Sequence, residues 1–141
     1  MKMLQHRFIE NIPDIVEEGI LYISVKYCTA IHKCVCGCGN EVVTPLSPVD
    51  WELIFNGKTV SLYPSIGNWS FQCQSHYWIT KSEIIYSSKW KKTKIQEGRS
   101  RDKERKSDFY NSDNKYIEYP AKKRKEKKGF KHFVKKIISL W

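Results

Sequence analysis

The sequence lacks several features that would place it in a membrane, secreted or repeat class. It has no apolar stretch of 18 residues or more, so we expect no transmembrane helix. Its first 19 residues hold four carboxylates and no apolar h-region, so we do not expect a signal peptide. It shows no internal repeat. With 141 residues, it predicts a single cytoplasmic domain followed by a tail.

Positive charge is scarce in the first part of the chain and abundant in the last. Residues 1–88 hold 6 Lys or Arg and 8 Asp or Glu, whereas residues 89–141 hold 19 and 7. The net charge of +10 therefore belongs to the tail. Because a nucleic-acid-binding domain needs its basic residues on its own surface, we do not expect nucleic acid as the partner.

The pattern of residues 1–88 predicts a mainly β, small α+β domain with two hairpins. The turn signals are Asn56-Gly57 and Lys81-Ser82, each between apolar or alternating runs. A short helix is predicted at residues 11–18, where Pro13 lies in the first turn. Cys28 is predicted to be a small core residue of a strand. The predicted strands are residues 20–27, 41–46, 51–55, 59–63, 77–80 and 83–87.

The basic tail divides into two segments. Residues 89–128 have few apolar groups and many charges, which predicts a disordered linker. Residues 129–141 place apolar side chains near one face at helical spacing, which predicts an amphipathic helix. Such a helix could dock on a partner protein or on an anionic membrane surface. Its apolar residues are Phe130, Phe133, Val134, Ile137, Ile138 and Trp141.

Five cysteines are an odd number, and three of them lie within five residues. Closely spaced thiols in a reducing compartment are more often metal ligands than disulfides. Zn²⁺ prefers thiolate and imidazole ligands in a tetrahedron, so the sequence predicts a structural zinc. Six side chains compete for four places: His32, Cys34, Cys36, Cys38, Cys73 and His76. We favour Cys34, Cys36, Cys38 and Cys73, because this set leaves both histidines free; Cys36, Cys38, Cys73 and His76 form the alternative.

The ordered strings H-x-C-x-C-G-C-G, TPLSP, SLYPSIGNW and C-x-S-H-Y-W-I resemble the bacterial BubE family. The resemblance covers roughly residues 15–88 and is densest between His32 and Ile79. The resemblance implies that the gene lies in an operon that also encodes ubiquitin-like proteins and E1- and E2-related enzymes. It also implies a serine-type peptidase or isopeptidase that matures or removes the ubiquitin-like partner. The tail from residue 89 is not covered.

Acyl transfer needs a nucleophile, a base and oxyanion donors. Ser65 is our first choice of nucleophile, because Gly67 and Asn68 follow it in a turn that could supply the oxyanion hole. His76 or His32 would be the base, with Asp50 and Glu41 as candidate carboxylate partners. The other candidate serines are Ser47, Ser61, Ser70 and Ser75.

Two other chemistries and one non-enzymatic function compete with this hypothesis. A metalloprotease would need a motif such as H-E-x-x-H, which the sequence lacks. Cys34 could be a nucleophile only if it were not a metal ligand. The remaining alternative is a zinc-stabilised module that binds the ubiquitin-like protein or its conjugating enzymes without cleaving anything.

Overall fold

Two four-stranded sheets make up most of the fold. A computed structural model describes residues 2–113, and in that part of the chain one helix, α1, follows the strands at Lys92–Asp113. This confirms the prediction of a mainly β protein. The strands are β1 Gln5–Ile9, β2 Ile20–Ser24, β3 Thr29–Lys33, β4 Glu41–Pro45, β5 Glu52–Phe55, β6 Val60–Gly67, β7 His76–Thr80 and β8 Glu83–Tyr86.

The two sheets are built differently along the chain. In the first, β1 pairs in parallel with β2, and β2, β3 and β4 pair antiparallel. In the second, β5 to β8 form an antiparallel meander. The inward faces of both sheets contribute to one apolar core, in which Ile23 of β2 and Ile79 of β7 are fully buried. Tyr77 is buried with Ile79, and alternation along β7 directs His76 and Trp78 to the opposite face.

Both predicted hairpins are present. Asn56 Oδ1 accepts hydrogen bonds from the backbone amides of Lys58 and Thr59, and Gly57 has φ of +88°. At the second turn Lys81 and Ser82 have φ of 49° and 65°, as a two-residue hairpin turn requires.

Two local predictions near the N-terminus are wrong. Residues 11–18 form no helix; the segment crosses from β1 to β2 and is held by side chains of β2. Ser24 Oγ donates to the carbonyl of Glu10, and Tyr22 donates to Glu17. Cys28 is an exposed turn residue with φ of 46°, because the chain reverses there between β2 and β3.

The linker prediction also differs from the structure. Helix α1 occupies Lys92–Asp113, within the segment predicted to be disordered. One compact unit extends through Phe109 and so includes most of this helix. Burial of Ile95 gives α1 the apolar anchor that its charged composition hides. The rest of the predicted linker and the predicted tail helix lie outside the described residues. A second compact unit begins at Tyr110, and only its residues up to Asp113 are described.

Helix α1, the one helix described in residues 2–113, does not combine the length and apolar character needed to cross a membrane.

Candidate active site and metal centre

Strands β6 and β7 bring Ser65 and His76 together. Gly67 pairs with His76 across the two strands, and the register shifts between Leu62 and Ile66. Alternation on either side of the buried pair Ile66–Tyr77 puts Ser65 and His76 on the same face, with Ser65 Oγ 2.9 Å from His76 Nε2. The structure thus joins two residues that the sequence nominated as nucleophile and base.

An aromatic enclosure surrounds His76, which is only 4% exposed. Its ring centroid lies 5.0 Å from that of Trp69, 5.4 Å from that of Trp78 and 4.7 Å from that of Trp90. Trp90 stacks on Trp69 at an interplanar angle of 24°. Trp69 in turn packs against Gly67, where an added Cβ would lie 2.5 Å from the indole. Because Gly67 has no side chain, the Trp69 indole has room to pack there and cover His76.

The enclosure keeps the imidazole neutral. Burial lowers the pKa of His76; the backbone of Ser88 opposes this shift, and the positive charge of Lys94 adds to it. His76 Nδ1 is buried and has no hydrogen-bond partner of good geometry among the described residues. A neutral imidazole with Nε2 directed at a hydroxyl can accept its proton.

The Ser65–His76 pair lies at a cavity of about 500 Å³, one side of which is formed by α1. Arg105 donates to the carbonyl of Val49, and Lys106 pairs with Asp50, so α1 is tied to the loop before β5. Arg99 donates to Ser70 Oγ at 3.3 Å. The segment that was predicted to be a disordered linker therefore forms a wall of the cavity.

Four thiols form a second cluster beside the strands. The sulfur atoms of Cys34, Cys36, Cys38 and Cys73 all lie within 4.8 Å of one another and could hold a metal ion. The Cys34–Cys36, Cys38–Cys73 and Cys34–Cys73 separations are 3.3, 3.7 and 3.9 Å. This grouping is the favoured four-cysteine set. His76 of the alternative set bonds to Ser65 instead.

Hydrogen-bond donors surround these sulfur atoms. The backbone and side chain of Asn40 donate to Cys38, and the backbone bond is the main reason that the pKa of Cys38 falls to about 6. Ser75 Oγ lies 3.1 Å from the sulfur of buried Cys34, whose pKa is raised by burial. Asn68 Nδ2 lies 3.8 Å from the same sulfur. Donors of this kind stabilise thiolate ligands around a bound metal.

Asn68 is thus placed differently from the predicted oxyanion donor. Its Nδ2 donates to Ser75 Oγ at 2.9 Å and to the Tyr77 hydroxyl at 3.4 Å, on the buried side of the strands. Side chains alternate along β6 and beyond, so Asn68 points away from the face that carries Ser65.

His32 lies at the end of the same buried network and not at Ser65. Its Nε2 is 2.8 Å from the Tyr77 hydroxyl, which donates to it because the Asn68 amide can only donate. Burial lowers the pKa of His32 to about 4, so the ring is neutral. The structure therefore brings one of the two predicted histidines to the serine.

The candidate carboxylates have other partners. Glu41 pairs with Lys33, and Asp50 accepts a hydrogen bond from Ser47 and pairs with Lys106. Among the remaining candidate serines, Ser61 accepts from the backbone of Lys81. The part of the chain that the structure describes therefore offers a serine–histidine pair without an aspartate or glutamate bonded to the histidine.

The sequence analysis did not predict that Trp90 would cover His76, or that Tyr77 and Ser75 would belong to the buried hydrogen-bond network. The sequence signal for Tyr77 and Ser75 was their position next to His76, since strand alternation puts both on the opposite face. Trp90 is the second residue of the charged segment 89–128, and no motif in the sequence includes it.

A family model described as "Bacterial ubiquitination-like system serine protease (BubE)" matches residues 8–87, which is more than half of the chain. The match includes Ser65, His76 and all four clustered cysteines, and it ends before Trp90 and α1. No match to this chain was found among curated proteins or among solved structures.

Proposed function

Because this chain belongs to the BubE family of bacterial ubiquitination-like system serine proteases, we propose that it hydrolyses a peptide or isopeptide bond of a ubiquitin-like protein. Ser65 is the nucleophile and His76 the general base. The observation that carries the proposal is the 2.9 Å hydrogen bond between Ser65 Oγ and His76 Nε2.

The pair supports a two-step acyl transfer. His76 Nε2 takes the Ser65 hydroxyl proton while Oγ attacks the scissile carbonyl carbon. The tetrahedral intermediate then expels the amine, which receives that proton from His76, and an ester to Ser65 remains. Water hydrolyses this ester with His76 again acting as base. The lowered pKa of His76 keeps the imidazole unprotonated and ready to accept a proton at neutral pH.

Packed aromatic rings, rather than a hydrogen-bonded carboxylate, orient His76. Trp69, Trp78 and Trp90 pack around the His76 ring, and the absence of a side chain at Gly67 leaves room for Trp69. Backbone amides near Gly67 are the proposed oxyanion donors, since the Asn68 side chain is used on the buried side.

We propose that the metal is Zn²⁺, held by the four thiolates. A zinc tetrahedron with bonds of about 2.3 Å has sulfur–sulfur edges of about 3.8 Å. Three of the six sulfur–sulfur separations, at 3.3, 3.7 and 3.9 Å, are close to this size, and all six are within 4.8 Å. Four protein ligands close the coordination shell, so the ion is structural. Cys73 lies in the turn between β6 and β7, and the metal therefore anchors the segment that separates Ser65 from His76.

A fluorophosphonate probe tests the nucleophile directly, because it forms a covalent adduct with an activated serine. The purified full chain is expected to gain one adduct at Ser65 by mass spectrometry and to cleave the ubiquitin-like protein of its own system. Ser65→Ala should abolish both. Ser61→Ala is the matched control on the same strand and should retain both.

Normal cleavage by Ser65→Ala would show that the nucleophile is wrong. A wild-type chain that binds the ubiquitin-like protein but neither reacts with the probe nor cleaves its partner would be a binding module.

A further inference from the structure

The outward face of the second sheet carries large apolar side chains. Ile54, Tyr63 and Ile85 are 50%, 64% and 48% exposed, and Trp78 pairs with Ile85 across β7 and β8. Antiparallel sheets with one buried face normally present polar residues to water on the other. We call these four residues the outer apolar face. A clustered apolar surface of this kind is typical of an interaction site.

This face is continuous with the proposed catalytic pair. His76 and Trp78 are alternate residues of β7 and project from the same side, with ring centroids 5.4 Å apart. Ser65 reaches His76 on that side. The outer apolar face therefore lies beside the catalytic pair, within reach of a folded protein that places a bond at Ser65.

The residue types of this face match those of protein interfaces. Tyr and Trp, which supply much of the binding energy at interfaces, lie on the central strands β6 and β7. Glu52, paired with Tyr63, and Glu83, paired with Thr80, provide charge on the edge strands β5 and β8.

We propose that the outer apolar face docks the folded body of the ubiquitin-like substrate while a segment of that substrate enters the cavity at Ser65. The inference rests on the proposed function, which supplies the substrate class, and adds the surface that selects it. Recognition away from the scissile bond explains how a small protease acts on one folded protein rather than on exposed peptides in general.

The test measures binding of the ubiquitin-like protein of the same system to the full chain carrying Ser65→Ala, which prevents turnover. Adding Ile85→Glu or Ile54→Glu is expected to raise Kd about tenfold or more, because each places a carboxylate against an apolar partner surface. Val43→Glu is the matched control: Val43 is 54% exposed on β4 of the other sheet and should change Kd less than about twofold.

Fluorophosphonate labelling of the same variants with Ser65 intact separates the two proposals. Labelling at the wild-type rate together with weakened binding supports the docking face. If both glutamate variants are labelled at Ser65 and bind the ubiquitin-like protein as the wild type does, the docking face is wrong and the protease proposal stands. If they bind the ubiquitin-like protein more tightly than the wild type, the docking face is also wrong, because the chain's own tail then occupies it. Loss of self-association in Ile85→Glu with unchanged partner binding overturns it in favour of a second copy. Absent labelling of the wild type with intact binding overturns the protease proposal alone.

Discussion

Tyr77→Phe removes one hydroxyl from the buried network between the metal cluster and His32. That hydroxyl lies 2.8 Å from His32 Nε2 and 3.4 Å from Asn68 Nδ2. Both rings are fully buried, and His32 Nδ1 already lacks a hydrogen-bond partner among the described residues. Without the hydroxyl, neither nitrogen of the imidazole is satisfied, and water has no access to replace the lost partner.

The expected loss of unfolding free energy is about 2 kcal/mol, since an unsatisfied buried polar group costs about 1–3 kcal/mol. Tyr86→Phe is the matched control on the paired residue of β8. Its hydroxyl donates to the Val35 carbonyl at 2.9 Å, but Tyr86 is 53% exposed and Lys2 also donates to that carbonyl. Water can replace this bond, so we expect a loss below about 0.5 kcal/mol.

Urea unfolding of the metal-saturated variants measures both losses. With a urea m-value of about 2 kcal/mol/M, Tyr77→Phe should lower the midpoint by about 1 M and leave the slope unchanged. Equal midpoints for Tyr77→Phe and the wild type, or a larger loss in Tyr86→Phe, would refute the buried Tyr77–His32 bond.

Three further perturbations address the metal and the catalytic pair. A strong zinc chelator is expected to unfold the β domain, because binding of a structural metal is coupled to folding; an unchanged circular dichroism melting curve would contradict this. The acidic limb of kcat/KM should lie below the ordinary histidine pKa of about 6.5, because burial lowers the pKa of His76 and its neutral form is the active base. Trp90→Ala, which uncovers the ring, should move that limb to higher pH; an unmoved limb would remove Trp90 from the enclosure. Gly67→Ala should reduce kcat/KM about tenfold or more by displacing Trp69, whereas Gly98→Ala, where the added Cβ lies 3.6 Å from Trp90, should retain activity and raise the melting temperature.

Much of the second sheet could be predicted from local sequence. Gly57 supplies the positive φ of a four-residue loop between Phe55 and Val60, and Lys81-Ser82 form a two-residue turn in which both residues have positive φ. The pairing of β1 with β2 could not be predicted in this way. It joins strands that are parallel and connected by a crossing segment, so no turn signal marks the pair.

Helix α1 shows where composition alone misleads. Its residues are so polar that an isolated segment would not be expected to order. Contacts made by Ile95, Arg105 and Lys106 with the rest of the unit supply the missing stabilisation, and a window of sequence does not contain those partners.

The candidate site was predictable in its residues more than in its arrangement. The cysteine cluster and the nomination of Ser65, with His76 or His32 as its base, followed from residue chemistry, and the peptidase class followed from the family resemblance. The separation of His32 from Ser65 and the inward turn of Asn68 depend on strand alternation and on the register shift between Leu62 and Ile66. Those features are properties of the paired strands.

The two faces of strands β6 and β7 carry different sets of side chains. Ser75 and Tyr77 face the thiols and the core, while His76, between them, faces Ser65. Sliding β7 by a single residue would exchange these faces, placing the imidazole in the core and the tyrosine in the cavity. A metal ion held by the four thiols would tie Cys73, in the loop between the strands, to Cys34, Cys36 and Cys38, and would thereby oppose such a slip. The ion would then hold β7 in register, and its loss would allow β7 to shift and move His76 away from Ser65 even before the sheets separated.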